Sequence, residues 1–254
     1  MKLQEPDRTS YDLRGHLLGA PLRIHPFFWL SASILGIRYY ADPEAGSIGF
    51  FAFWMVSVTV CVLLHCLAQV VVARLFGIRG EVLLYGLGSL FVGLESLHPY
   101  WKRVVVLLAG LLVQFLIVAG IHFLPELMPF PQYLIEHGWQ NSIATGAAML
   151  AHFNLYWGIL NLLPLLPFVG GRVVADLGES LLGRKGRNAA YLVSLVVSAL
   201  LSIWVAFDLN RNADLYRFDP RFSLYLFEDG VLLLYGFILW LRGFRALLPE
   251  NTLA

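Results

Sequence analysis

The sequence predicts an all-α polytopic membrane protein with about six transmembrane helices. The chain has 254 residues, of which 58% are hydrophobic and only 14% are charged, and its mean hydropathy is +0.69. This composition is far more apolar than that of a soluble domain. Apolar runs long enough to cross ~30 Å of hydrocarbon occur about six times. These runs are Leu22–Tyr40, Ile48–Phe76, Val104–Leu124, Ile143–Phe168, Ala189–Phe207 and Val231–Leu248.

Positive charge predicts the orientation. If the N-terminus is cytoplasmic, most Arg and Lys residues fall in inward segments, and the outer loops keep only Arg38, Arg211, Arg217 and Arg221. This positive-inside bias predicts a multi-pass protein of the bacterial inner membrane with both termini cytoplasmic. We expect a cytoplasmic N-terminal segment at 1–21, a single membrane domain at 22–248 and a cytoplasmic tail at 249–254. A net charge of +1 without a dense basic run argues against a nucleic-acid partner.

The segment between the second and third runs is too polar and glycine-rich to span a membrane. Within it, Glu81–Tyr85 is followed by Gly86, Leu87 and Gly88. This pattern predicts a short strand or a re-entrant hairpin at the cytoplasmic side. Protein or water must cover such irregular backbone at membrane depth.

The fourth run carries two prolines near its cytoplasmic end, Pro164 and Pro167. Each proline removes a helix hydrogen bond and clashes with the preceding turn, so a broken or kinked helix is expected. Asn161 is a candidate partner for the freed carbonyl groups. Gly170 and Gly171 permit a close backbone approach or a positive φ.

The second run contains His65-Cys66-Leu67-Ala68-Gln69, an incomplete form of the zinc-protease signature H-E-x-x-H. In that signature the two histidines share a helix face and bind zinc, and the glutamate activates water. Cys66 occupies the glutamate position here, and Gln69 occupies the position of the second histidine.

These residues, with Arg23–Pro26, Ala109–Gln114 and Asn154–Arg172, resemble the site-2 protease family of intramembrane zinc metalloproteases. The resemblance implies that the zinc-ligand positions are His65, Gln69 and Val169 and that the catalytic-base position is Cys66. Only His65 keeps the family's residue. The residues that resemble the frame of the site and its substrate cavity are retained: Asn154, Asn161, Pro164, Pro167, Gly170 and Gly171.

The leading interpretation is a pseudoprotease that binds transmembrane segments of partner proteins in the lipid bilayer without cutting them. It expects no cofactor and assigns no catalytic residue or metal ligand. The alternative is an intramembrane zinc metalloprotease with replaced ligands, which cleaves a membrane-anchored substrate. A membrane scaffold or carrier is a third class, but the spans carry almost none of the charges that would favour it.

Other side chains are also candidate metal ligands. Cys61, His65 and Gln69 share a helix face, and Cys66 lies beside His65, so a distant His152 or Asp176 would complete a Cys/His site. The competing interpretation makes both cysteines packing residues and His65 a buried neutral imidazole bonded to Gln69 or a carbonyl. For His152 we expect hydrogen bonding between helices instead. His25, before Pro26, is expected to cap a helix or to lie at the membrane interface.

Overall fold

The computed structural model describes residues 6–37, 40, 47–86, 88–127, 139–166 and 168–211, without the side chains of 124–127, 139–142 and 209. Helices predominate, and a small sheet accompanies them. The strands are β1 (Leu13–Leu17), β2 (Ala20–Ile24), β3 (Glu81–Tyr85) and β4 (Gly88–Val92). The helices are α1 (Pro26–Gly36), α2 (Ile48–Leu75), α3 (Tyr100–Leu127), α4 (Trp139–Leu162), α5 (Val169–Leu182) and α6 (Arg184–Arg211).

The four strands form one sheet in the order β1-β2-β3-β4. The pairs β1–β2 and β3–β4 are antiparallel, and β2–β3 is parallel. The strand predicted at Glu81–Tyr85 is confirmed. The all-α class is wrong in omitting β1 and β2, which lie in the predicted N-terminal segment and at the start of the first apolar run. Their pairing with β3 joins residues distant in the chain, which local hydrophobic periodicity does not report.

Four described helices are long and apolar enough to cross a membrane: Ile48–Leu75, Tyr100–Phe123, Ile143–Leu162 and Arg184–Asp208. They correspond to the second to fifth predicted runs, and they indicate a multi-pass membrane protein. The first run differs, because Leu22–Ile24 belongs to β2 and α1 has only 11 residues. Such a helix is ~16 Å long, about half the hydrocarbon thickness. The sixth run, Val231–Leu248, lies outside the described residues.

Local capping fixes where two helices begin. His25 is the N-cap of α1, where its Nδ1 accepts a hydrogen bond from the Phe27 N–H at 3.1 Å and Pro26 opens the helix. The capping role expected for His25 is therefore confirmed. Ser47 caps α2 in the same way, with its hydroxyl 3.2 Å from the Phe50 nitrogen. Both caps satisfy N–H groups that have no partner within the helix.

The predicted break near the end of the fourth run is confirmed. Helix α4 ends at Leu162, Pro164 follows, and α5 begins at Val169. Pro167 lies outside the described residues. The backbone turns back so tightly that a Cβ on Gly170 would lie 2.2 Å from the Leu162 carbonyl oxygen.

Gly171 is equally constrained, since its Cβ would lie 2.4 Å from the Leu165 carbonyl carbon. The predicted close backbone approach is thus present at both glycines. The expectation for Asn161 needs correction, because its amide donates to the Trp157 carbonyl at 2.9 Å within α4. The carbonyl of Leu160, which Pro164 cannot bond, accepts from the Leu163 N–H at 3.2 Å. A tightened last turn therefore supplies the partner that we had expected from a side chain.

Candidate functional site

One buried face of α2 carries the central polar residues of the candidate site. Cys61, His65 and Gln69 are all buried and follow one another at four-residue spacing, as the sequence analysis predicted. Because these side chains lie inside an apolar span, each polar atom needs a protein partner.

His65 finds those partners in two carboxamides. Its Nδ1 lies 3.3 Å from the Gln114 Oε1 on α3, and its Nε2 lies 3.1 Å from the Gln69 Nε2 one turn along α2. The Gln69 Nε2 also donates to the Leu107 carbonyl at 3.4 Å, which supports the orientation of this amide. Gln69 therefore donates to Nε2, and Nδ1–H donates to Gln114. Both contacts describe a neutral imidazole protonated at Nδ1.

The imidazole lies directly against the backbone of α3 at Gly110. A Cβ at Gly110 would lie 2.4 Å from the His65 Nε2 and 2.5 Å from its Cε1. No larger residue is compatible with this position of the ring, so Gly110 sets the distance between α2 and α3 at the site.

Asn154 joins α4 to the same face. Its Nδ2 donates to the Leu150 carbonyl at 2.8 Å and lies 3.1 Å from the Cys61 Sγ. Two further buried atoms, the Asn154 Oδ1 and the Gln114 Nε2, have no hydrogen-bond partner among the described residues. The polar cluster therefore contains one acceptor and one donor that no described residue bonds.

Strand β4 lies beside this cluster. Ser89 lies near the Cys66 thiol, and β4 packs on α2. In the β3–β4 hairpin, Tyr85 pairs with Gly88 and Leu83 with Leu90. Alternation of hydrogen bonds then turns the backbone groups of Ser89 and Phe91 away from β3.

Arg172 occupies part of that outer edge. Its Nη2 donates to the Phe91 carbonyl at 3.4 Å, which agrees with the outward direction of this group. No further strand pairs with β4 among the described parts of the chain. Partial burial lowers the pKa of Arg172, with Asp176 and Glu95 acting in the opposite direction.

The remaining candidate ligands do not converge on His65. Val169 begins α5 as a buried hydrocarbon. The Asp176 carboxylate pairs with the Arg103 guanidinium at 3.2 Å, and burial raises its pKa although Arg103 opposes the shift. The His152 ring lies 4.3 Å from the Tyr156 ring of the same helix. Within the described residues, no group of three His, Cys, Asp or Glu side chains is arranged to hold a metal ion.

Sequence reasoning missed two contributors to the cluster, Gln114 and Gly110. It also missed the hydrogen bond from Arg172 to the Phe91 carbonyl on β4. In the sequence, Gln114 stands out only as the last residue of the Ala109–Gln114 motif. A lone carboxamide in an apolar run is a usable signal, because a polar group at membrane depth requires a partner. Nothing local in the sequence pairs Phe91 with Arg172.

Comparison with known proteins gives one kind of match. The chain matches neither a protein-family model nor a curated protein. Among solved structures it is similar to the site-2 protease from Methanocaldococcus jannaschii, with a TM-score of 0.59 and 20% sequence identity. The match covers 92% of this chain and 94% of that one. The ligand positions transferred to His65, Gln69 and Val169 stay predictions, but the architecture agrees over nearly the whole length. The chain therefore has a site-2 protease-like fold.

Proposed function

We propose that this chain is a non-catalytic membrane protein with a site-2 protease-like fold, which binds membrane-spanning segments of other proteins. The observation that carries the proposal is the bonding of His65. Both of its ring nitrogens are engaged by carboxamides, Gln69 on one side and Gln114 on the other. A polar cluster that is bonded in this way presents no nucleophile or base to a substrate.

The residues at the family's zinc positions do not fit the metal. Zinc needs a free imidazole lone pair at ~2.0–2.1 Å and further N, O or S ligands in a tetrahedral arrangement. The lone pair of the His65 Nε2 faces the amide donor of Gln69, and Val169 has no donor atom. The thiol of Cys66 is fully buried beside Ser89. We therefore derive no hydrolytic step through a metal.

Partner binding rests on the outer edge of β4. The N–H and C=O of Ser89 and the N–H of Phe91 point away from β3, where an extended segment could pair with them by strand addition. A membrane segment that unwinds exposes backbone groups, and pairing with a strand edge satisfies them. Arg172 holds the Phe91 carbonyl, so it limits how far such a partner strand extends.

Zinc content tests the non-catalytic part of the proposal. Mass spectrometry of purified wild-type protein should find no stoichiometric zinc, whereas Cys66→Glu/Gln69→His/Val169→Asp should bind about one zinc, as a mononuclear site requires. The matched control adds His65→Ala to that triple variant and should lose the metal. Stoichiometric zinc in the wild type that disappears with His65→Ala would reverse the proposal and favour a metalloprotease with replaced ligands.

Site-specific photo-crosslinking tests the partner. A photoreactive residue at Ser89 should give adducts whose crosslinked peptides are apolar membrane segments. The same residue at His16, on the opposite edge strand β1, is the matched control and should not. Equal adducts from both positions, or adducts only with soluble peptides, would contradict binding at β4.

We further propose that the protein resides in a bacterial inner membrane with its N-terminus in the cytoplasm. The support is the positive-inside bias of the sequence. A reporter fused to the N-terminus of the full chain should be active on the cytoplasmic side only, and activity on the outer side would invert the topology.

A further inference from the structure

A second candidate site lies at the end of α2, away from His65. A cavity of about 560 Å³ is lined by Gly19, Arg74, Gly77, Ile78 and Arg79. It forms where the β1–β2 turn meets the turn that ends α2. Gly19 and Gly77 have φ of +75° and +79°, and such turns favour glycine. Arg74 is nine residues beyond His65 on the same helix, roughly 13 Å along its axis.

The cavity is positively charged, and no described carboxylate neutralises it. Arg74 and Arg79 are both exposed, and no carboxylate of the described residues lies within ion-pair distance of either. The Arg74 guanidinium lies over the β1–β2 turn, because a Cβ on Gly19 would be 3.3 Å from its Nη2. Two guanidinium groups at one concavity repel each other, and a doubly accepting anion such as a phosphate would relieve this repulsion.

The surroundings place the cavity at the level of lipid headgroups. The apolar span of α2 ends at Leu75, directly beside the cavity. Phe76 and Trp101 pack edge to face with ring centroids 5.7 Å apart, and the Lys102 Nζ lies 5.6 Å from the Phe76 centroid. Trp101 is 54% exposed. Aromatic and cationic side chains of this kind gather at membrane–water interfaces.

The surface below the cavity is apolar and open. Leu75 is 80% exposed and Val71, one turn earlier, is 42% exposed. Both face away from the protein core in a span that must meet lipid. A headgroup held at Arg74 would therefore have hydrocarbon directly beneath it, which suits an acyl chain and offers nothing to a free inorganic ion.

We propose that this cavity is a binding site for the phosphate headgroup of an anionic glycerophospholipid. Arg74 and Arg79 donate to the phosphate oxygens, and the acyl chains lie along Val71 and Leu75. Guanidinium groups suit this role because they bind phosphate bidentately. Basic pockets at the ends of membrane helices recognise anionic headgroups through the same chemistry.

Native mass spectrometry of the full chain in detergent would count bound lipid. Phosphatidylglycerol and phosphatidylcholine with identical acyl chains are the two probes. We expect wild type to retain one phosphatidylglycerol in preference to phosphatidylcholine by on the order of tenfold or more, given two arginines at the surface. Arg74→Gln/Arg79→Gln should abolish the preference. Arg14→Gln/Arg184→Gln removes the same charge from exposed arginines outside the cavity and should keep it.

Two further measurements separate the remaining explanations. Arg74→Lys/Arg79→Lys preserves charge and should retain part of the preference, and circular dichroism verifies that each variant is folded. If the wild-type protein retains both lipids equally, the proposal is wrong, whatever the variants show. If both pairs of glutamine substitutions reduce the preference for phosphatidylglycerol equally, net charge and not the cavity causes that preference. Excess inorganic phosphate that displaces the lipid completely would show a free-phosphate site in place of a lipid site.

Discussion

The helix break and the His65 cluster lie in the same set of packed helices but are specified in opposite ways. At the break, the backbone packs directly on backbone. Positions 170 and 171 therefore accept only glycine, because a Cβ at either would collide with backbone atoms. At the cluster, side-chain amides from α2 and α3 enclose one imidazole. The break is thus specified by backbone sterics, whereas the cluster is specified by side-chain hydrogen bonds.

The two regions also differ in how completely their polar groups are paired. Near the break, the Leu166 N–H donates to the Ser194 hydroxyl at 2.8 Å, and the Leu163 N–H donates to Leu160. The cluster leaves Gln114 Nε2 and Asn154 Oδ1 without partners in the described chain. The break should therefore be the more stable region, and the cluster should tolerate substitution if its polar groups are removed together.

The largest effect is expected from Gly170→Ala. The added Cβ would meet two backbone oxygens, those of Leu162 and Leu163, and neither can rotate away. We expect a loss of about 2–4 kcal/mol in the free energy of unfolding, measured by SDS titration of helical circular dichroism. Gly120→Ala on α3 is the control, because nothing lies within 4 Å of its Cβ position.

The control should be neutral or stabilising by up to about 1 kcal/mol, since alanine is the better helix former. If both variants lose the same stability, the close approach at the break does not constrain the residue.

The second effect tests the cluster by the same means. Gly110→Ala would push a Cβ into the His65 ring, at an expected cost of about 1–3 kcal/mol. Because the obstacle is a side chain, His65→Ala should remove it. The double variant should then be more stable than the sum of the single effects predicts, by roughly 1 kcal/mol or more. Additive effects in this double-mutant cycle would mean that the ring does not lie against Gly110.

The difference between the regions explains what the sequence could predict. The break was predictable because Pro164 and the glycine pair act through local backbone rules. The strand at Glu81–Tyr85 was predictable from its own pattern and the Gly86 turn. In contrast, β1 and β2, the bond from Gln114 to His65 and the bond from Arg172 to Phe91 depend on which distant segments meet. A single sequence specifies that a buried carboxamide needs a partner, but the partner is set by helix packing.

A third prediction asks whether the cluster serves packing alone. Gln69→Leu leaves the His65 Nε2 lone pair buried without a donor, and we expect it to cost about 1–2 kcal/mol. Replacement of His65, Gln69 and Gln114 together by leucine removes the imidazole and both amides that bond it, and we expect apolar packing to compensate to within about 1 kcal/mol. A triple variant that is far less stable than Gln69→Leu would show that the polar network itself holds α2 and α3 together.

The smallest effect concerns Asp12, which lies outside the membrane spans. Because its carboxylate is charged, we expect its contribution to stability to depend on pH. Burial acts to raise the pKa of Asp12, but hydrogen bonds from Thr9 and Arg23 outweigh it, so the pKa lies below the ordinary 3.8. A carboxyl with a lowered pKa stabilises the fold above its unfolded value, and this contribution disappears as the pH falls through the folded value. Asp12→Asn should therefore lower the melting temperature at pH 7 by a few degrees at most. The difference from wild type should shrink as the pH falls below about 4. A difference that persists unchanged at pH 3 would mean that the Asp12 carboxylate does not stabilise the fold.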